Sequence, residues 1–219
     1  MRKNQPSQTT IIGGVITIFI VLFSLIVMMP KPSISNTKKI VLIGDSITES
    51  WKGYSPEFFA ENPYLINKGV SGETTPQILG RFNDDVISLS PEAVIILAGI
   101  NDIAQNTGYI SVSEIFANII NMVEISHSNN ITPILCSVLP ASKIAWRPDI
   151  KSANLVIELN EKLKGYCIEN NMVYVDYFSS MVGEKKELRS DLTYDGVHPD
   201  KKGYLIMEKI LLETIQKKL

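Results

Sequence analysis

A serine near one end of the chain, with an aspartate and a histidine near the other, supplies the parts for acyl transfer. Ser46 closes the run Val41-Leu42-Ile43-Gly44-Asp45-Ser46, and Asp195-Gly196-Val197-His198-Pro199 lies far downstream. A serine hydroxyl is a weak nucleophile until a neighbouring base takes its proton. An imidazole becomes that base when a carboxylate accepts its Nδ1–H and leaves Nε2 facing the hydroxyl. The chain has two histidines. His198 has an acid three residues before it in a Gly- and Pro-bounded turn, whereas His127 ends a helix-like segment and reads as a solvated residue. Each block also has a structural reading. Asp45 or Ser46 can cap the next helix, and an Asp-Gly turn can carry an incidental histidine.

Acyl transfer needs hydrogen-bond donors where negative charge develops on the carbonyl oxygen. Gly72, in Gly69-Val70-Ser71-Gly72-Glu73-Thr74-Thr75, can present its backbone N–H without side-chain obstruction. Asn101, in Ala98-Gly99-Ile100-Asn101-Asp102, can offer its side-chain amide, and the N–H of Ser46 makes a third donor. Against this, Gly72 can simply make a turn and Asn101 can cap the segment after it. Asp102 reads as a structural brace.

These residues need a frame that brings them together. Apolar runs at 40–43, 65–66, 93–98, 133–138 and 172–175 lack polar alternation, as strands buried on both faces do. Between and after them, 76–82, 113–128, 153–169 and 203–217 carry apolar residues at helical spacing. Strand-helix alternation predicts a parallel sheet covered by helices on both sides. In such sheets sites form beyond the carboxyl ends of the strands, where Ser46 follows the first run and Asn101 the third.

Residues 1–10 form a basic tail, 11–29 an uncharged apolar stretch, 30–37 a Pro- and Ser-containing linker and 38–219 one α/β domain. At about 1.5 Å per residue the apolar stretch is a helix of roughly 28 Å, close to a bilayer core. It reads as one N-terminal transmembrane helix, with a cleaved signal segment as the alternative. The expected location is therefore membrane-anchored with the catalytic domain outside the cytoplasm, or exported. All 23 acids but only 17 of the 21 bases lie beyond residue 38, and an acidic body without a basic stripe argues against nucleic acid as a partner. Cys136 and Cys167 are too few for a disulfide framework and read as buried thiols. No Cys/His cluster has metal-ligand spacing and no Gly-rich phosphate loop appears, so neither metal nor cofactor is expected.

Taken in order, Gly44-Asp45-Ser46-Ile47-Thr48, the Gly72 loop, Gly99-Ile100-Asn101-Asp102 and Asp195-Gly196-Val197-His198-Pro199 resemble the SGNH hydrolases, also called GDSL lipases/esterases. The similarity covers about residues 38–219. It implies a flavodoxin-like three-layer α/β/α sandwich with a mostly parallel five-stranded sheet. It further implies Ser46 as nucleophile, His198 and Asp195 completing a triad, and Ser46, Gly72 and Asn101 as oxyanion donors. The stretches containing Glu73-Thr74-Thr75, Asn101-Asp102-Ile103 and Leu139-Pro140-Ala141 are similar to bacterial acylhydrolases and acetylesterases, which implies a small-molecule or glycan ester with a short, acetyl-like acyl group.

Trp146 and Arg147 follow the fourth run, where a ring can stack on a sugar and a guanidinium can bind an anionic group. Equally, Trp146 can cover a core edge and Arg147 pair with an acid, and Trp51 carries the same two readings as Trp146. Three other functions stay open: a lipase- or thioesterase-like acylhydrolase for longer chains, acyl transfer to an acceptor other than water, and an idle membrane-tethered glycan-binding protein. The last is disfavoured by the complete Ser46, His198 and Asp195 set.

Overall fold

The computed structural model describes residues 39–218. The tail, apolar stretch and linker expected over 1–37 lie outside the described residues, and among those described no helix is long and apolar enough to cross a membrane.

Five strands form one sheet: β1 (Ile40–Gly44), β2 (Leu65–Gly69), β3 (Ala93–Leu97), β4 (Thr132–Cys136) and β5 (Val173–Val175). Their order is β2-β1-β3-β4-β5 and every neighbouring pair is parallel, so the expected mostly parallel sheet is wholly parallel. The register pairs Ile40 of β1 with Leu65 on one side and Ala93 on the other. Each residue of β1 and β3 is buried, as strands need when helices cover both faces, whereas the edge strands β2 and β5 are half-buried over much of their length.

Nine α-helices are described: α1 (Ser46–Tyr54), α2 (Pro56–Glu61), α3 (Thr75–Gly80), α4 (Phe82–Asp85), α5 (Ile100–Ile103), α6 (Val112–Ser128), α7 (Ser152–Glu169), α8 (Phe178–Met181) and α9 (Lys201–Lys218). The sequence pattern places α6, α7 and α9 to within a residue or two, but runs α3 on through residue 82, where the chain breaks at Arg81 and restarts as α4. Helix α6 starts from a capping box in which Ser111 and Glu114 satisfy each other's backbone, and it buries Ile115, Ile119, Met122 and Val123 on one face. It packs against α3 and α7, while α1 packs against α2 and α9, which fits one helical layer on each side of the sheet.

Docking of α9 on α1 positions the site. The Tyr204 hydroxyl donates to the Ile47 carbonyl at 2.8 Å, and the Trp51 indole donates to Glu208 Oε1 at 3.2 Å. Trp51 is 1% exposed, with the Phe58 ring stacked on it at 5.7 Å and the Tyr204 ring tilted against it at 5.6 Å, so it belongs to the core. Cys136 and Cys167 are both buried, free thiols.

Candidate active site

The strand order reverses beside β1, with β2 on one side and β3 on the other, which sends the connections to opposite sides and opens a crevice at the carboxyl ends. Ser46 is the first residue of the helix leaving β1. Its Oγ lies 2.9 Å from His198 Nε2, and His198 Nδ1 lies 2.7 Å from Asp195 Oδ2. The three side chains form one hydrogen-bonded line across 152 residues of sequence.

The capping role falls on Asp45, whose Oδ1 accepts the Ile47 N–H at 3.0 Å. Ser46 therefore occupies the first helical position, where the backbone N–H has no intrahelical acceptor and lies at the positive end of the helix dipole. Burial pushes the Asp45 carboxyl up to about 7, against the lowering effects of the Ile47 N–H and His198.

The histidine loop is built by its own hydrogen bonds. Asp195 Oδ1 accepts the N–H groups of Val197 at 2.9 Å and His198 at 2.8 Å, leaving Oδ2 to the imidazole. Gly196 has φ +86, a left-handed conformation that lets the chain turn back so tightly. Thr193 Oγ1 accepts the Gly196 N–H at 3.0 Å and donates to the His198 carbonyl at 2.6 Å. Burial raises the Asp195 pKa, but the His198 N–H, the imidazole and the Val197 N–H outweigh it and hold the carboxyl below its ordinary value. His127 is exposed at the end of α6.

Gly72 has φ +79 in the loop after β2, a conformation that favours glycine. Asn101, 3% exposed in α5, donates from Nδ2 to the Glu73 carbonyl at 3.0 Å and accepts from Asn106 Nδ2 at 2.9 Å. An amide nitrogen has two protons, so one remains after Glu73 is served. Asp102 braces the start of α3: its carboxylate accepts the Thr75 N–H at 3.0 and 2.9 Å and the Thr75 hydroxyl at 2.7 Å. Burial raises its pKa against those bonds.

Trp146 is 43% exposed, and its ring lies 6.1 Å from that of His198. Tyr194, 63% exposed, stacks on the same imidazole at 6.0 Å and 9°. Arg147 is otherwise engaged. Its guanidinium donates to the carbonyls of Ala104 at 2.9 Å and Gln105 at 3.2 Å, and pairs with Asp149 at 3.5 Å.

Four participants are not evident from the sequence. Arg81 joins the carbonyls of Gly44 and Lys68 to the Glu73 carboxylate, tying the ends of β1 and β2 to the Gly72 loop. Thr193, Tyr194 and Asn106 gain their roles from contacts that local pattern does not reveal, although Thr193 and Tyr194 stand directly before Asp195. Among the described residues no group of three or more His, Cys, Asp or Glu is arranged to hold a metal ion.

Residues 42–206 match the family model for GDSL-like lipases and acylhydrolases. The solved structure of a GDSL-like lipase from Bacteroides thetaiotaomicron is similar, with TM-score 0.82 and 42% identity, covering 87% of this chain and 93% of that one. The acetylxylan esterase of Geobacillus stearothermophilus is 25% identical over 218 residues, covering 83% of this chain and 95% of the esterase. An uncharacterized lipoprotein of Bacillus subtilis is 26% identical over 138 residues, which is 56% of this chain and only 57% of the lipoprotein's own length.

Proposed function

The chain belongs to the GDSL-like lipase/acylhydrolase family and is a carboxylic ester hydrolase, and from that premise we propose a serine esterase for short acyl groups, acetyl above all, on a carbohydrate or similar polar alcohol. The observation that carries the serine mechanism is the unbroken line from Ser46 Oγ through His198 to Asp195, at 2.9 and 2.7 Å. Ser46 attacks the ester carbonyl as its proton passes to His198 Nε2. The N–H groups of Ser46 and Gly72 and the remaining proton of Asn101 Nδ2 hold the oxyanion. Collapse of the tetrahedral intermediate expels the alkoxide, which takes the proton from His198 and leaves an acyl-enzyme. Water, deprotonated by His198, then attacks the acyl carbon, and the second intermediate releases the carboxylic acid as Ser46 recovers its proton. Asp195 stays ionised throughout and keeps the imidazole in the tautomer that accepts at Nε2.

The acetyl and carbohydrate part of the reading is supported by the acetylxylan esterase relative and by the exposed rings of Trp146 and Tyr194 beside His198. Arg147 is read as a clamp on the loop after α5, because its donors are occupied by protein carbonyls and Asp149. Burying each methylene of an acyl chain contributes about 0.8 kcal/mol, so an enzyme with an acyl tunnel improves steeply along an ester series. The opposite order is expected in kcat/KM, acetyl and butyryl esters above octanoyl and palmitoyl. An optimum at long chains would turn the reading to a lipase- or thioesterase-like acylhydrolase.

Residues 38–219 are proposed as the catalytic unit, held by or exported through the apolar stretch at 11–29, a reading in keeping with the lipoprotein relative. The N-terminus of protein recovered from cells separates the forms, since a start beyond residue 29 means a cleaved signal and an intact start means an anchor.

A further inference from the structure

We propose that Asn106 is a positioning residue that fixes the orientation of the Asn101 amide, with Trp146 holding Asn106 in place; this rests on the reading of Asn101 as an oxyanion donor. An indole N–H can only donate. Nε1 of Trp146 lies 3.1 Å from Oδ1 of Asn106, which decides the end of the Asn106 amide that faces the tryptophan. Nδ2 is thereby turned inward, donating to Asn101 Oδ1 at 2.9 Å, with the Gly72 carbonyl as a longer second acceptor at 3.5 Å. On its other side Asn101 meets the Glu73 carbonyl, which can only accept and takes an Nδ2 proton at 3.0 Å. The amide is oriented from both ends.

A flipped Asn101 would set its oxygen against the Glu73 carbonyl and its nitrogen against the Asn106 nitrogen. The flip would also matter chemically, because the reaction needs an N–H, never an oxygen, facing the developing charge. A backbone bond from the Asn106 N–H to the Asn101 carbonyl, at 3.0 Å, closes the turn that makes this contact. Asn106 is itself exposed, and so contributes little to the core. Its side chain touches both proposed side-loop oxyanion donors and the ring that faces the proposed alcohol side of the site. Placement there is explained by orientation of the amide, not by packing.

The test is a set of kinetic cycles on full-length protein with p-nitrophenyl acetate. Asn106→Ala is expected to lower kcat about 5–30-fold with KM within about twofold, part of the loss usual for a whole oxyanion donor. In an Asn101→Ala background the same change is expected to cost less than about twofold, since there is no amide left to orient. Trp146→Phe keeps an aromatic ring but deletes the N–H, so it should lower kcat about threefold in the native chain and have little effect beside Asn106→Ala. An Asn106→Ala kcat within about twofold of the parent, or the same loss in both backgrounds, would overturn the proposal. Should Asn106→Ala not fold, Trp146→Phe against Asn101→Ala decides the matter: a loss that vanishes supports the relay, and an equal loss overturns it. If Asn101→Ala alone leaves kcat unchanged, the oxyanion reading fails and this one falls with it. If Asn101→Ala is impaired while Asn106→Ala is not, only the positioning role of Asn106 fails.

Discussion

Asp195 uses its two carboxylate oxygens for different tasks, and that division predicts what an amide in its place would do. Oδ1 is fixed by the N–H groups of Val197 and His198, so Asp195→Asn must keep its oxygen there and turn its nitrogen toward His198 Nδ1. A donor at that position forces Nδ1 to accept, puts the ring proton on Nε2 and leaves nothing to take the Ser46 proton. The expected loss in kcat is about 10³–10⁴-fold with the fold retained, against little change for His127→Ala. Equal losses would require a different base. Asp45 offers a test by pH. A carboxyl raised in the folded state, here to about 7, holds a proton between roughly pH 4 and 7 that the unfolded chain has released, so its contribution to stability is full at low pH and is lost as pH rises through that window. Asp45→Asn keeps an oxygen for the Ile47 N–H without the charge. Its melting temperature relative to the parent should therefore be higher at pH 8 than at pH 4.5, by an amount on the order of 2–4 kcal/mol in stability or roughly 5–10 °C. A difference that does not vary with pH would contradict the raised pKa.

Among the elements, α9 carries the most consequence for the site, because the loop it terminates holds His198. Asp200 Oδ1 accepts the Gly203 N–H at 3.0 Å at the start of this helix, and the Asp200 N–H reaches back to the Leu192 carbonyl at 2.8 Å, closing the loop around the histidine. Across the helix interface, the Tyr204 hydroxyl meets the Ile47 carbonyl, one residue beyond the proposed nucleophile. Tyr204→Phe leaves that buried carbonyl short of a partner, at a cost of about 1–2 kcal/mol. Because the lost bond joins the two elements that face each other across the Ser46–His198 contact, kcat should also fall several-fold at constant KM. Unchanged kcat in a destabilised variant would show that the loop of residues 192–200 positions His198 without help from the helix. The elements differ in how plainly the sequence announces them. Strands β1 and β3 are unbroken apolar runs because both faces are covered, whereas β2, Leu-Ile-Asn-Lys-Gly at the sheet edge, shows only its first two residues as apolar. Helices α1 and α2 leave little trace: they are short, and the first turn of α1 is spent on Ser46 and its cap instead of an apolar stripe.

For the molecule as a whole, a parallel sheet of order β2-β1-β3-β4-β5 gathers residues from four distant segments at one end, which is why residue type could suggest the site while contact alone reveals its supports. Ser46, Gly72, Asn101, Asp195 and His198 stand out in the sequence because acyl transfer calls for those groups in particular. Arg81 and Asn106 do not, since an arginine after a helix and an asparagine in a turn are common, and their partners lie up to 37 and 40 residues away. The acidic body beyond residue 38 suits a neutral ester better than a polyanion. The most direct test of the central claim is the intact mass of the protein after treatment with a fluorophosphonate, followed by peptide mapping of the adduct. One phosphonyl group on Ser46 is expected, with loss of esterase activity in step with labelling and neither labelling nor turnover in Ser46→Ala. Labelling at another residue, or turnover that survives in Ser46→Ala, would contradict the account.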